Sequence, residues 1–122
     1  DTIKTVFQDF ALVNGTWRVG SDLVRPQDIT GTALLTVEGQ LDDISGAGQT
    51  RAAHELCTGI PKGRQFHYDV VGAGHYGIFS GRRWREKVYP EVRQFIASHQ
   101  GDAPKAAKTR SAPAKKARAR AR

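Results

Sequence analysis

The stretch Ala33-Leu34-Leu35-Thr36-Val37-Glu38-Gly39 decides the fold class of this 122-residue chain. It is a short, continuous apolar run closed by Glu38-Gly39. Strands buried on both faces have this pattern, and parallel sheets are built from them. Residues 65–71 then alternate, with Phe66, Tyr68 and Val70 on one side, and read as a second strand. Between the two, residues 49–58 carry Ala52, Ala53, Leu56 and Cys57 at helical spacing. Gly59 as a C-terminal cap and Pro61 beyond it should end that helix. The order strand, loop, helix, strand, loop, helix predicts an α/β fold with a parallel βαβ unit and a right-handed crossover. In such sheets functional groups lie on the loops that follow the C-terminal ends of the strands.

Outward from this unit the signals are weaker. Residues 3–12 place Val6, Phe7, Phe10 and Ala11 on one helical face, with Thr2 as a candidate cap. Asn14-Gly15 is a turn signal before Thr16-Trp17-Arg18-Val19, which suggests a small hairpin or an irregular strand pair. Pro26 should end any segment begun by Leu23-Val24-Arg25. After the second strand, Ser80 is placed to cap a helix from about residue 81. Trp84, Val88, Val92, Phe95 and Ile96 form one helical stripe. Pro90 interrupts it, predicting a kink or break near Tyr89 before helix continues to about His99.

The basic character of the chain is confined to one end. Net charge is +7 and the pI is near 10.0. Residues 1–100 hold eleven Lys/Arg and eleven Asp/Glu, whereas residues 101–122 hold eight Lys/Arg against Asp102 alone. That Ala/Lys/Arg-rich tail has no large apolar residue and is expected to be disordered. Its charge would suit electrostatic contact with a polyanion, a nucleic acid or an anionic granule surface. The neutral remainder supplies no basic reading surface. One cysteine, Cys57, excludes an intrachain disulfide and fits a reducing compartment. No apolar run reaches the ~18–20 residues that span a bilayer. The chain begins at Asp1 and lacks Met, which reads as a processed start or as the C-terminal piece of a longer protein.

Two loops carry the chemistry. The first, Glu38-Gly39-Gln40-Leu41-Asp42-Asp43-Ile44-Ser45-Gly46, follows the first strand. The second, Val71-Gly72-Ala73-Gly74-His75-Tyr76-Gly77-Ile78-Phe79-Ser80-Gly81, sets one histidine among glycines after the second. Glycines permit the sharp turns that let such a histidine reach into a cleft. One crossover helix and one strand separate Asp42 from His75, so neighbouring loops can bring them together. A carboxylate on one imidazole nitrogen would then fix the tautomer for general-base work. Asp42 and Asp43 are equally able to cap a helix or shape a turn. No Cys/His pair at zinc spacing accompanies His75. His54, His67 and His99 read as surface or partly packed residues, and Cys57 as a small buried one. Ser21 follows Gly20 but lacks the second glycine and the strand–turn–helix setting of a nucleophile elbow.

The phrases Leu34-Leu35-Thr36-Val37-Glu38-Gly39, Asp42-Asp43-Ile44-Ser45-Gly46, Gly48-Gln49-Thr50-Arg51-Ala52-Ala53-His54 and Gly74-His75-Tyr76-Gly77-Ile78-Phe79-Ser80-Gly81-Arg82-Arg83-Trp84 resemble the C-terminal region of intracellular polyhydroxyalkanoate (poly-3-hydroxybutyrate) depolymerases. The resemblance covers about residues 5–99. It implies the C-terminal half of an α/β-hydrolase fold over residues 1–100. It also implies ester hydrolysis by a nucleophile–Asp–His triad, with Asp42 as the acid and His75 as the base. No metal or organic cofactor is implied. The expected partners are the polyester granule and the N-terminal half of the hydrolase domain, and the expected location is cytoplasmic or granule-associated. Without a nucleophile the chain alone is expected to be inactive, and without its partner strands poorly stable. Polyhydroxyalkanoate synthases have a similar acid–histidine pair. The Ser80-Gly81-Arg82-Arg83-Trp84 continuation resembles the depolymerases more.

Overall fold

The computed structural model describes residues 1–101; apart from Gly101, the predicted tail lies outside the described residues. In chain order the regular elements are β1 (Arg18–Val19), β2 (Asp22–Leu23), β3 (Leu34–Gly39), α1 (Ala53–Leu56), β4 (Gln65–Val70), α2 (Gly81–Arg83) and α3 (Tyr89–His99). Short 3-10 turns (Pro26–Asp28, Lys62–Arg64, Tyr76–Ile78) and π-type turns (Lys4–Gln8, Trp84–Val88) connect them.

The parallel pair is present. β3 and β4 run side by side from Leu34↔Gln65 to Gly39↔Val70. Side chains alternate across a strand, so this register sorts the residues onto two faces. Leu35, Val37, Phe66, Tyr68 and Val70 share one face, and Thr36, Glu38, His67 and Asp69 share the other. The first face is the core side. Val70, Ala73, Ile78 and Val88 are buried there, with Val37, Tyr68, Trp84 and Val92 packed against them. β3 is therefore not apolar on both sides as its sequence suggests: Thr36 and Glu38 make its second face a buried polar layer.

Trp84, Val88 and Val92 of the predicted stripe pack against the core, whereas Ile96 is exposed. Pro90 does not break the helix: Trp84–Val88 is a π-type turn that runs directly into α3, with the backbone helical through Val88 and Tyr89. Ser80 sits at the α2 N-cap in extended conformation, but its hydroxyl donates to the Tyr76 carbonyl instead of capping.

Four further expectations are corrected. Residues 49–58 do not form one helix. α1 is a single turn over Ala53–Leu56, reached through hydrogen-bonded turns, because Glu38 takes the N–H groups of Gly48 and Arg51. Gly59 is not a left-handed cap. It is small because a Cβ there would meet the Gln27 carbonyl at 2.2 Å. At the N-terminus the helix is the short Lys4–Gln8 turn, and Phe7 and Phe10 are exposed while Ala11 is buried. The hairpin turns at Gly20-Ser21, pairing Val19 with Asp22, and not at Asn14-Gly15.

Candidate active site

The two chemistry-bearing loops leave the same end of the β3–β4 pair, since Gly39 and Val70 are register partners. Backbone bonds then stitch them together. Gln40 N–H donates to Val70 O (3.1 Å) and Leu41 N–H to Ala73 O (2.9 Å). Gly72 N–H returns a bond to Gln40 Oε1 at 3.0 Å. The approach is close enough to require glycine at position 39, where a Cβ would lie 2.6 Å from Ala73 O. Gly72 uses its freedom differently, at φ +69, and the Arg83 guanidinium donates to its carbonyl. Within the histidine loop Gly72 and Gly81 adopt positive φ, whereas Gly74 and Gly77 do not.

This stitching brings Asp42 and His75 together. His75 Nδ1–H donates to Asp42 Oδ2 at 2.8 Å. Asp42 Oδ1 accepts the N–H groups of Ile44 (2.9 Å) and Ser45 (2.8 Å). Asp42 thus works as a turn former and an orienter at once. The Asp42 side chain is 3% exposed and that of His75 28%. Burial pushes the Asp42 carboxyl up, but the Ser45 N–H, the His75 imidazole and the Ile44 N–H together hold it below the usual carboxylate range. Asp43 is exposed and makes no hydrogen bond among the described residues. With Nδ1 committed to Asp42, His75 Nε2 is the acceptor and has no protein partner among the described residues. Tyr76 and Phe79 stand edge-on to the imidazole, with ring centroids 5.5 and 5.7 Å away. Both are largely exposed, as are Leu41 and Ile44 on the acid loop. The imidazole is held by Asp42 and flanked by two aromatic rings, on a surface rich in apolar groups.

A second polar cluster, missed in the sequence, lies on the other face of the sheet. Thr36 Oγ1 is within hydrogen-bond distance of both His54 Nε2 (2.7 Å) and His67 Nδ1 (2.8 Å). His67 Nε2 faces Asp69 Oδ1 at 3.0 Å and Glu38 Oε2 at 3.9 Å. Burial raises the Glu38 carboxyl, but the Gly48, Arg51 and Thr50 N–H groups and the nearby His67 leave it lowered on balance. His54 and His67 are partly packed, one of the two alternatives the sequence left open, and are joined in one network. The signal available in the sequence was the i, i+2 spacing of Thr36/Glu38 and of His67/Asp69. Cys57 is buried and free, as expected.

A parallel α/β unit with a carboxylate–imidazole pair on adjoining strand-end loops defines a class of architecture. The chain's family is more specific. The family described as PHB de-polymerase C-terminus matches residues 1–100, and the chain belongs to it. No curated protein and no solved structure matches the chain. Among the described residues no helix is long and apolar enough to cross a membrane.

Proposed function

We propose that this chain supplies the acid and the base of an intracellular polyhydroxyalkanoate depolymerase that hydrolyses ester bonds of poly-3-hydroxybutyrate. The observation that carries the reading is the 2.8 Å bond from His75 Nδ1 to the buried Asp42 carboxylate. It fixes the tautomer in which Nε2 can take a proton. A thiol or hydroxyl from a segment outside these 122 residues attacks the ester carbonyl, and Nε2 takes its proton. The imidazolium, stabilised by Asp42, passes that proton to the leaving hydroxyl of the polymer and an acyl-enzyme remains. Water, deprotonated by the same nitrogen, then releases the hydroxy acid. Each step is acid–base and nucleophilic chemistry. Tyr76, Phe79, Leu41 and Ile44 suit an apolar polyester chain lying across the pair.

Two measurements test this. The isolated chain should show no esterase turnover above a His75→Ala control. In the complete depolymerase, His75→Ala should abolish turnover while leaving the circular dichroism spectrum unchanged. Robust His75-dependent hydrolysis by the chain alone would place the nucleophile within it. Full activity of the His75→Ala enzyme would remove the assignment.

A further inference from the structure

The polar face of the β3–β4 pair has more hydrogen-bond acceptors than protons to fill them. Gln65 Nε2 donates to the carbonyls of Ile60 (2.7 Å) and Cys57 (3.3 Å). This turns its Oε1 toward His54 Nδ1, 2.7 Å away. The chain continues through His54 Nε2 to Thr36 Oγ1 and on to His67 Nδ1. It ends where His67 Nε2 meets Asp69 and Glu38. Both ends are acceptors, the amide oxygen at one and carboxylates at the other. Two neutral imidazoles and one hydroxyl bring a proton each, one fewer than the links. Filled from the Gln65 end, His54 Nδ1–H donates to Gln65, the Thr36 hydroxyl to His54 Nε2 and His67 Nδ1–H to Thr36, which leaves the His67 Nε2 lone pair facing the two carboxylates and open to a cation. Filled from the carboxylate end, His67 Nε2–H donates to Asp69 and the gap falls at His54 Nδ1 instead.

We infer that Glu38, His67 and Asp69 form a binding site for a divalent transition-metal cation of the zinc type. The three ligand atoms lie within 4.8 Å of one another. Ligands of a tetrahedral zinc with bonds of about 2.0 Å stand about 3.3 Å apart, and the 3.0 and 3.9 Å separations at His67 Nε2 bracket that value. Glu38 Oε2, which accepts the Gly48 N–H, is the oxygen that faces His67 Nε2. The Thr36–His54–Gln65 chain does what supporting groups do at metal-bound histidines, fixing the tautomer and aiming the free nitrogen. One imidazole and two carboxylates suit zinc better than magnesium or calcium. The bound ion would clamp β3 to β4 and hold Glu38, whose carboxylate also pins the loop after Asp42. The site is structural and independent of the acyl-transfer reading.

The test is a titration of the full 122-residue chain with Zn²⁺ alone, by calorimetry, with Co²⁺ absorption as a second readout. One ion should bind per chain. Asp69→Asn, at an exposed position, should weaken binding at least tenfold, and Thr36→Val about tenfold by releasing the tautomer. His75→Ala should bind as tightly as the parent chain. ¹⁵N-edited spectra report His67 Nε2 directly. A proton there, with no Zn²⁺ binding at millimolar concentration, would overturn the site. Binding unchanged in Asp69→Asn, or lost in His75→Ala, would overturn it equally.

Discussion

Asp42 has both oxygens engaged, one by two backbone N–H groups and one by His75. Asp42→Asn keeps the size of the side chain but loses the charge that stabilises imidazolium and can present an N–H where an acceptor is needed. In the complete enzyme kcat should fall about 10⁴-fold, the scale known for such a change in a serine-protease triad. The same residue carries a pH signature. Its folded pKa lies below the ordinary value near 4. Its contribution to stability is therefore full above about pH 4 and is lost as pH falls through the lower, folded value. Between pH 5 and pH 2 the urea midpoint should drop less steeply in Asp42→Asn than in the parent. Parallel curves would mean that Asp42 is not held as described. At this scale the sequence was informative where chemistry and spacing coincide. A lone histidine among glycines and an acid three residues after a glycine named the pair, and that spacing already favoured Asp42 over Asp43. What the sequence did not show is the turn by which Ile44 and Ser45 hold the Asp42 carboxylate.

The elements that position the site are two strands and the short bonds between their exit loops. Gly39 is the tightest point. An alanine there would put its Cβ 2.6 Å from Ala73 O, and the obstacle is backbone that cannot swing aside. Gly39→Ala should cost roughly 1–3 kcal/mol and displace the His75 loop. The downfield Nδ1–H resonance of His75 would then shift or broaden, and an unchanged resonance would argue against the close approach. The strands themselves were legible, because an apolar run and an alternating run leave few other solutions. The crossover helix was not. Ala52, Ala53, Leu56 and Cys57 have the right spacing, but Glu38 holds the backbone of Gly48 and Arg51 in a turn. A tertiary hydrogen bond outweighs a weak local preference. The hairpin was misplaced for a related reason. Asn14-Gly15 and Gly20-Ser21 are both good turns, and strand pairing chose the second.

Across the whole molecule, the apolar material exceeds what the described residues can cover. The core cluster centres on Val70, Ala73, Ile78 and Val88, while Ile3, Phe7, Phe10, Val13, Val71 and Phe79 are each more than half exposed. A two-strand sheet also keeps open edges. The isolated chain should melt with low cooperativity and bind an apolar dye. A sharp transition without dye binding would show that the small core suffices. This surplus was foreseeable from a βαβ unit standing alone. The polar layer between sheet and α1 was not, because it arises from two strands whose polar residues look unremarkable until they are aligned.

That alignment has a consequence for how the chain tolerates change in length. β3 and β4 pair so that each residue meets the one thirty-one places later, and Asp42 reaches His75 only because both loops leave the sheet in step. The connection between the strands can grow without disturbing this. Gly63, in the exposed 3-10 turn before β4, has no atom within 4 Å of where a Cβ would stand, so this turn is where added residues have room. Losing one residue inside β4 is different. It slides the histidine loop by about 3.3 Å and exchanges the two faces of the strand. His67 and Asp69 would then point into the apolar core, and Tyr68 and Val70 into the polar layer. The site is thus indifferent to how far apart its residues lie in the chain and intolerant of a change in their parity.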